Sequence, residues 1–203
     1  MARDRGPTDK ISRRFGVPLF GPSKALERRP YPPGHVGARG ARRKQSDYAI
    51  ALAEKQKLRF QYGVLEKQFR KYFKEAQRRP GITGVNLLQI LEMRLDNICY
   101  RLGLGSTRRS ARQFVGHGHV LVNDQKVDIP SYEVKSGDVI KVSEANRSRQ
   151  LGMRLLDSTQ GRPTADWTEV DRDKLIGVVN RPPERDEIDP QVNEQLVVEL
   201  YSR

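Results

Sequence analysis

At 203 residues the chain is long enough to bury one large core or two small ones, and 38 Lys and Arg against 25 Asp and Glu leave it at +13. No apolar run approaches the ~20 residues of a bilayer-spanning helix, and the opening Met1-Ala-Arg-Asp-Arg-Gly-Pro7 lacks the apolar centre of a secretory signal, so a cytosolic protein independent of membranes is expected. One cysteine, Cys99, excludes an internal disulfide and a zinc site built from several cysteines.

The charge is front-loaded. Residues 1–80 hold 21 basic against 7 acidic side chains (+14), residues 81–150 hold 10 against 7 (+3), and residues 151–203 hold 7 against 11 (−4). Such an excess points to a polyphosphate partner, and no broad apolar stripe accompanies it as an interfacial membrane helix would require.

In chain order, residues 1–44 are rich in Gly, Pro and Arg and poor in aliphatics, which predicts an extended arm without a core of its own. Arg13, Arg14, Arg42, Arg43 and Lys44 are its candidate phosphate contacts, with Phe15, Phe20 and Tyr31 as anchors or stacking groups; His35 reads as an isolated polar residue. Ser46 or Asp47 caps a helical segment in which Tyr48, Leu52, Leu58, Tyr62, Leu65, Phe69 and Phe73 recur at near-helical spacing, divided or kinked at Gly63. Lys55, Lys57, Arg59, Lys67, Arg70, Lys71 and Lys74 fall on its remaining faces, either solvated or along an RNA backbone. Pro80-Gly81 stops this helix, and Thr83 or Asn86 starts another.

Leu87, Leu91, Leu95, Ile98 and Leu102 then give one continuous helical stripe. Ser106 or Thr107 caps the next helix, whose first turns hold Arg108, Arg109 and Arg112. Three cations at the positive end of a helix dipole cost a little stability, and an external polyanion would resolve the conflict. Val120–Val122 and Lys126–Ile129 flank a turn at Asn123-Asp124-Gln125; Val139–Val142, Trp167–Val170 and Leu175–Val179 complete the expected strands. The run after Ser143 reads as a linker or the start of a short helix, and a closing helix is expected with Asp189 as cap, Pro190 first, and a Val192, Leu196, Leu200 stripe.

Catalytic signals fail on inspection. Gly103-Leu-Gly105 lacks a third glycine and follows a helix, there is no P-loop, and His117 and His119 have no third ligand nearby in sequence; no cofactor or metal is expected. Asn146-Arg-Ser148 matches a glycosylation acceptor by chance. Cys99 reads as a small packed residue.

At Arg94-Leu-Asp-Asn97, Arg101, Ser106 to Arg112 and Gly116 to Asn123, the chain resembles the small RNA-binding module named after the fourth protein of the small ribosomal subunit. The opening Met-Ala-Arg, Lys57-Leu-Arg-Phe-Gln-Tyr-Gly63, Glu66-Lys-Gln-Phe-Arg70 and the ending Val198-Glu-Leu-Tyr-Ser-Arg203 extend the resemblance to that ribosomal protein family over the whole length. With no cysteine before Cys99, it is similar to the zinc-free form.

The resemblance implies a non-catalytic, primary binder of small-subunit ribosomal RNA at a helical junction of the 5′ domain. Such a protein nucleates assembly of the subunit body, sits near the path by which messenger RNA enters, contacts the fifth small-subunit protein and influences decoding accuracy; some members repress their own messenger. Carried over by position, the RNA-facing set is Arg94, Arg101, Ser106, Thr107, Arg108, Arg109, Arg112, Gln113, His117, His119 and Asn123, with Phe114 and Val115 packing inward. Lys57, Arg59 and Arg70 join the arm residues as candidate RNA contacts. The implied fold is α+β: an extended basic arm (1–44), a small helical domain (45–86, completed by 187–203), and an inserted RNA-binding domain (87–186, core 91–150) with helices on a small antiparallel sheet. The implied location is the small ribosomal subunit of a bacterial cytoplasm or of an organelle that encodes the protein. An RNA-modifying enzyme of the pseudouridine synthase kind, or a ribosome-rescue factor, could carry the same module. The first would need a catalytic domain with its aspartate beside the module, and the second a shorter chain without paired terminal helices.

Overall fold

The structure, a computed structural model, describes residues 6–34, 46–188 and 192–202. Arg42, Arg43, Lys44, His35 and the expected helix start at Asp189 and Pro190 lie outside the described residues. The class is α+β: among the described residues there are nine α-helices and one five-stranded antiparallel sheet. The chain divides into two compact units, Met1–Leu87 with Asp189–Arg203, and Leu88–Ile188.

In the first unit, the segment expected to be extended contains two short helices, α1 (Thr8–Phe15) and α2 (Lys24–Arg28). Local polar bonds stabilise what a core of its own could not. The Ser23 hydroxyl accepts from Leu26 N (3.3 Å), and Arg13 Nε donates to the carbonyls of Arg29 and Tyr31 at 3.1 and 3.2 Å. Helices α3 (Asp47–Gln61, capped by Ser46) and α4 (Glu66–Arg78) are separated at Gly63, whose φ of +62° suits a residue without Cβ. Helix α9 (Glu194–Ser202) packs on α3, and starts later than the sequence suggested: Val192 precedes it, and Asn193 Oδ1 accepts from Gln195 N.

Tyr201 of α9 places its ring 4.6 Å from Phe73 and donates its hydroxyl to Glu66 at 2.9 Å. Glu66 also accepts from Lys55 at 2.9 Å; burial opposes its ionisation, but these hydrogen bonds and the Lys55 charge outweigh it and hold the carboxyl below its usual range. Lys55 is only 7% exposed, so this lysine belongs to the interior and not to a wet basic face.

The apolar stripe from Leu87 to Leu102, which runs into the second unit, is not one helix. Helix α5 (Thr83–Glu92) ends at Met93-Arg94, and α6 (Leu95–Arg101) begins anew. Arg94 is extended (φ −72°, ψ 138°) and bridges to Glu133, Met93 O accepts from Val134 N, and the first α6 N–H groups donate to Tyr132 and Pro130. Those donors have no partner within a helix, so the returning loop satisfies them and breaks the periodicity without changing which face is buried.

Helix α7 (Arg108–Gly116) leads to β1 (Val120–Val122), then β2 (Gln125–Lys126) and β3 (Val139–Val142). The turn between β1 and β2 has positive φ at both Asn123 (49°) and Asp124 (64°), the type I′ geometry whose twist suits a two-residue hairpin. β2 is shorter than expected: Val127 N still donates to Val120 O at 3.2 Å, but Asp128 and Ile129 leave the ladder. Helix α8 (Asn146–Ser158), thirteen residues long, occupies the segment read as a linker or short helix. Strands β4 (Thr168–Asp171) and β5 (Ile176–Val179) complete the order β2-β1-β3-β5-β4. Val120, Val122, Ile140, Val179 and Trp167 are buried in one core with Ile98, Cys99, Leu102, Phe114 and Val115 of α6 and α7. The Cys99 thiol is fully buried; burial, reinforced by the Asp96 charge, pushes it well above its ordinary range and leaves it inert.

Candidate nucleic-acid interface

Helix α7 begins as the sequence suggests, with Thr107 Oγ1 accepting from Ser110 N at 3.1 Å. Phe114 and Val115 face the core, which turns Gln113 toward solvent and leaves Arg109 and Arg112 part-buried at the edge. The conflict between the arginines and the helix dipole is resolved in part from inside. Arg112 Nη1 donates to Asp96 Oδ2 at 2.8 Å, Arg108 Nε donates to Asn97 Oδ1 at 2.8 Å, and Arg108 Nη2 lies 3.8 Å from Glu92. Arg101 forks onto Glu92 at 2.8 and 2.9 Å, Arg94 forks onto Asp96 at 2.6 and 3.0 Å, and Asn97 Nδ2 donates to Glu92 at 2.7 Å.

Four guanidiniums thus share two carboxylates, of which Glu92 is wholly buried. A carboxylate cannot be buried uncompensated, so the pairs fix one another, and each guanidinium is oriented before any ligand arrives. Arg94 is itself 3% exposed, so it shapes the site from beneath, whereas Arg101, Arg108 and Arg112 keep part of their surface in water. The sequence carried Arg94, Asp96 and Asn97 only as parts of a motif; the framing role of Glu92 and Asp96 depends on contacts up to sixteen residues apart, which no local pattern announces.

Ser106, Thr107, Gln113, His117 and Asn123 are exposed on the same unit. Asn123 also works structurally: its amide donates to Asp138 at 2.9 Å and its oxygen accepts from Val139 N at 3.0 Å. The His117 and His119 rings meet edge-on at 6.0 Å, and His119 Nδ1 is hydrogen-bonded to the Ser148 hydroxyl at 2.9 Å. Burial, with the nearby His117 and Lys126, lowers the His119 pKa below its ordinary value, so the ring is neutral at pH 7. Among the described residues no group of three or more His, Cys, Asp or Glu could hold a metal ion. Nor is any helix there long and apolar enough to cross a membrane.

The first unit carries a second basic surface. Arg14 is exposed, Arg59 stacks on Phe60 (4.3 Å) and bonds Gln56, Lys57 pairs with Glu54, and Arg70 lies 3.5 Å from Glu66 with its side chain mostly in solvent. Lys67, Arg70, Lys71, Lys74 and Arg78 recur at helical spacing on α4 and are all exposed, opposite the buried Phe69, Phe73 and Ala76. Arg13 instead ties α1 to the segment after α2.

Comparison with known families matches residues 3–92 to the ribosomal protein S4/S9 N-terminal domain and residues 93–140 to the S4 domain. Over all 203 residues, and the whole of each relative, the chain is 62% identical to the small ribosomal subunit protein uS4 of Akkermansia muciniphila and 52% identical to that of Opitutus terrae. It is 52% identical over its full length to the uS4 protein of Geobacillus thermodenitrificans as well.

Proposed function

The chain belongs to the uS4 family of small ribosomal subunit proteins, structural rRNA-binding constituents that are not enzymes, and from that premise we propose how it binds and what its binding does. The α7 edge reads phosphate geometry: Arg101, Arg108, Arg109 and Arg112, with Ser106, Thr107, Gln113, His117, His119 and Asn123 around them, form a preorganised face for the A-form backbone at a helical junction of the 5′ domain. Arg94 supports this face from within. The basic stripe of α4, with Arg14, Lys57 and Arg59 and the arm residues Arg42, Arg43 and Lys44, supplies sequence-independent affinity. In this reading the arm (1–44) and helical domain (45–86 with 187–203) anchor the protein electrostatically, and residues 87–186 position it.

The finer roles proposed are those that the family resemblance implies. Binding early to folded 5′-domain RNA nucleates the body of the subunit, and contact with the fifth small-subunit protein, near the path by which messenger RNA enters, tunes decoding accuracy. The observation that carries the reading is the carboxylate frame of Glu92 and Asp96, which holds arginines in fixed orientations at the start of α7. A surface kept basic only for solubility has no need of buried carboxylates to aim it.

The test is a salt titration of binding to small-subunit ribosomal RNA. If ~6–10 phosphates are neutralised, the logarithm of affinity falls steeply and linearly with the logarithm of salt. An affinity nearly independent of salt contradicts the mechanism. Co-sedimentation with small subunits at unit stoichiometry after a moderate salt wash separates a resident component from an enzyme or rescue factor that visits.

A further inference from the structure

The loop that launches α7, Leu102 to Ser106, is held by a segment that follows α8 and lies beyond the residues matched to the S4 domain. The Arg162 guanidinium sits 4.2 Å from the Tyr100 ring centroid. Its Nη1 donates to Tyr100 O at 3.0 Å and Gly105 O at 3.1 Å, and its Nη2 donates to Ser106 O at 2.8 Å. Arg108, at the start of α7, lies 4.7 Å from the same Tyr100 ring. The Thr159 hydroxyl, buried at the end of α8, lies 2.9 Å from Gly103 O.

We infer that Arg162 is a positioning residue for RNA binding: seated on Tyr100 and bonded to the carbonyls of Tyr100, Gly105 and Ser106, it fixes the start of α7 and so aims Arg108, Arg109 and Arg112. The physical reason is fit. A guanidinium is a rigid plane with donors along its edge, able to face an aromatic ring and serve several carbonyls at once, which an ammonium cannot do. The Tyr100 carbonyl belongs to the last turn of α6, while those of Gly105 and Ser106 lie in the short loop before α7, so one side chain ties the loop to the helix it leaves. Ser106 immediately precedes Thr107, the cap of α7, so a displacement of the loop is passed directly to the arginine edge. Preorganisation of this kind raises affinity by removing the cost of ordering the loop on binding.

The inference rests on the reading of the α7 edge as an RNA contact, and the experiment separates the two. Binding of the full chain to small-subunit ribosomal RNA is measured over a salt series for the wild type, Arg162→Ala, Arg162→Gln and Arg109→Ala, with a melting curve for each. Arg109→Ala, loss of one phosphate cation, is expected to weaken binding and flatten the salt slope by about 1. Arg162→Ala is expected to weaken binding by about tenfold, the worth of one charge-assisted hydrogen bond, at an unchanged slope. Arg162→Gln, whose amide keeps part of the carbonyl bonding, should fall between it and the wild type, again at unchanged slope; it decides the matter alone if the alanine variant does not fold. Wild-type affinity in a folded Arg162 variant overturns the inference, as does a slope flattened by about 1, which makes Arg162 itself a phosphate contact. If Arg109→Ala changes neither affinity nor slope, the RNA reading of α7 is what fails.

Discussion

Glu92 is the residue on which the second unit's charge arrangement turns. It is fully buried, accepts from Arg101 and Asn97, and lies within reach of Arg108. Glu92→Ala leaves these cations and an amide without their anion, so thermal or urea unfolding should show a loss of about 3–5 kcal/mol, with RNA affinity falling in parallel. Arg108 shares that frame, so truncating it costs stability as well as binding, and a clean test of RNA contact avoids it. His119 makes a pH prediction. Its folded pKa lies below the unfolded value, so the unfolded chain binds the extra proton first, and stability falls as pH drops below about 6.5 and into the lowered folded range. Melting at pH 7.5 and 5.5 should show a smaller acid-induced drop for His119→Gln than for the wild type; an equal drop would mean that other groups carry the effect.

At the scale of elements, α7 and α4 present basic faces by different means. α4 is held by apolar packing of Phe69, Phe73 and Ala76, and its lysines stand outside that packing. Replacing Lys67, Lys71 and Lys74 together by alanine should lower RNA affinity and flatten the salt slope while leaving the melting temperature within a degree or two. α7 depends on the loop before it. A Cβ on Gly105 would stand 2.6 Å from Ala111 N, a backbone atom that cannot swing aside, so Gly105→Ala should destabilise by about 1–3 kcal/mol, read by thermal melting, and weaken RNA binding with it. Much of this was legible in the residues: the Thr107 cap, the Asn123-Asp124 turn and four of the five strands fall close to where spacing and turn chemistry put them, and Phe114 and Val115 pack inward as the family resemblance implied. The break at Arg94 was not, because it is imposed by a loop distant in sequence, at Pro130 to Val134, while the apolar spacing runs through it unbroken. The thirteen residues of α8 were hidden for the opposite reason: its polar composition, with only Ser148, Gly152 and Leu156 buried, gives a weak apolar stripe.

Over the whole molecule, charge and shape are divided along the chain. Residues 1–80 carry the +14 excess, and the stretch after residue 150 is acidic. Net charge was readable by counting; the pairing of Arg94, Arg101, Arg108 and Arg112 with Glu92 and Asp96 was not, since it depends on a three-dimensional frame that spacing does not encode. If the α7 edge and the α4 stripe both lie on ribosomal RNA, as proposed, RNA–protein crosslinking of the full chain on the small subunit, mapped to residues, detects it. Crosslinks concentrated between Ser106 and Asn123 and along Lys67 to Arg78 are the predicted result. Crosslinks confined to the β4–β5 edge, with none on α7, would mean that α7 does not lie on RNA.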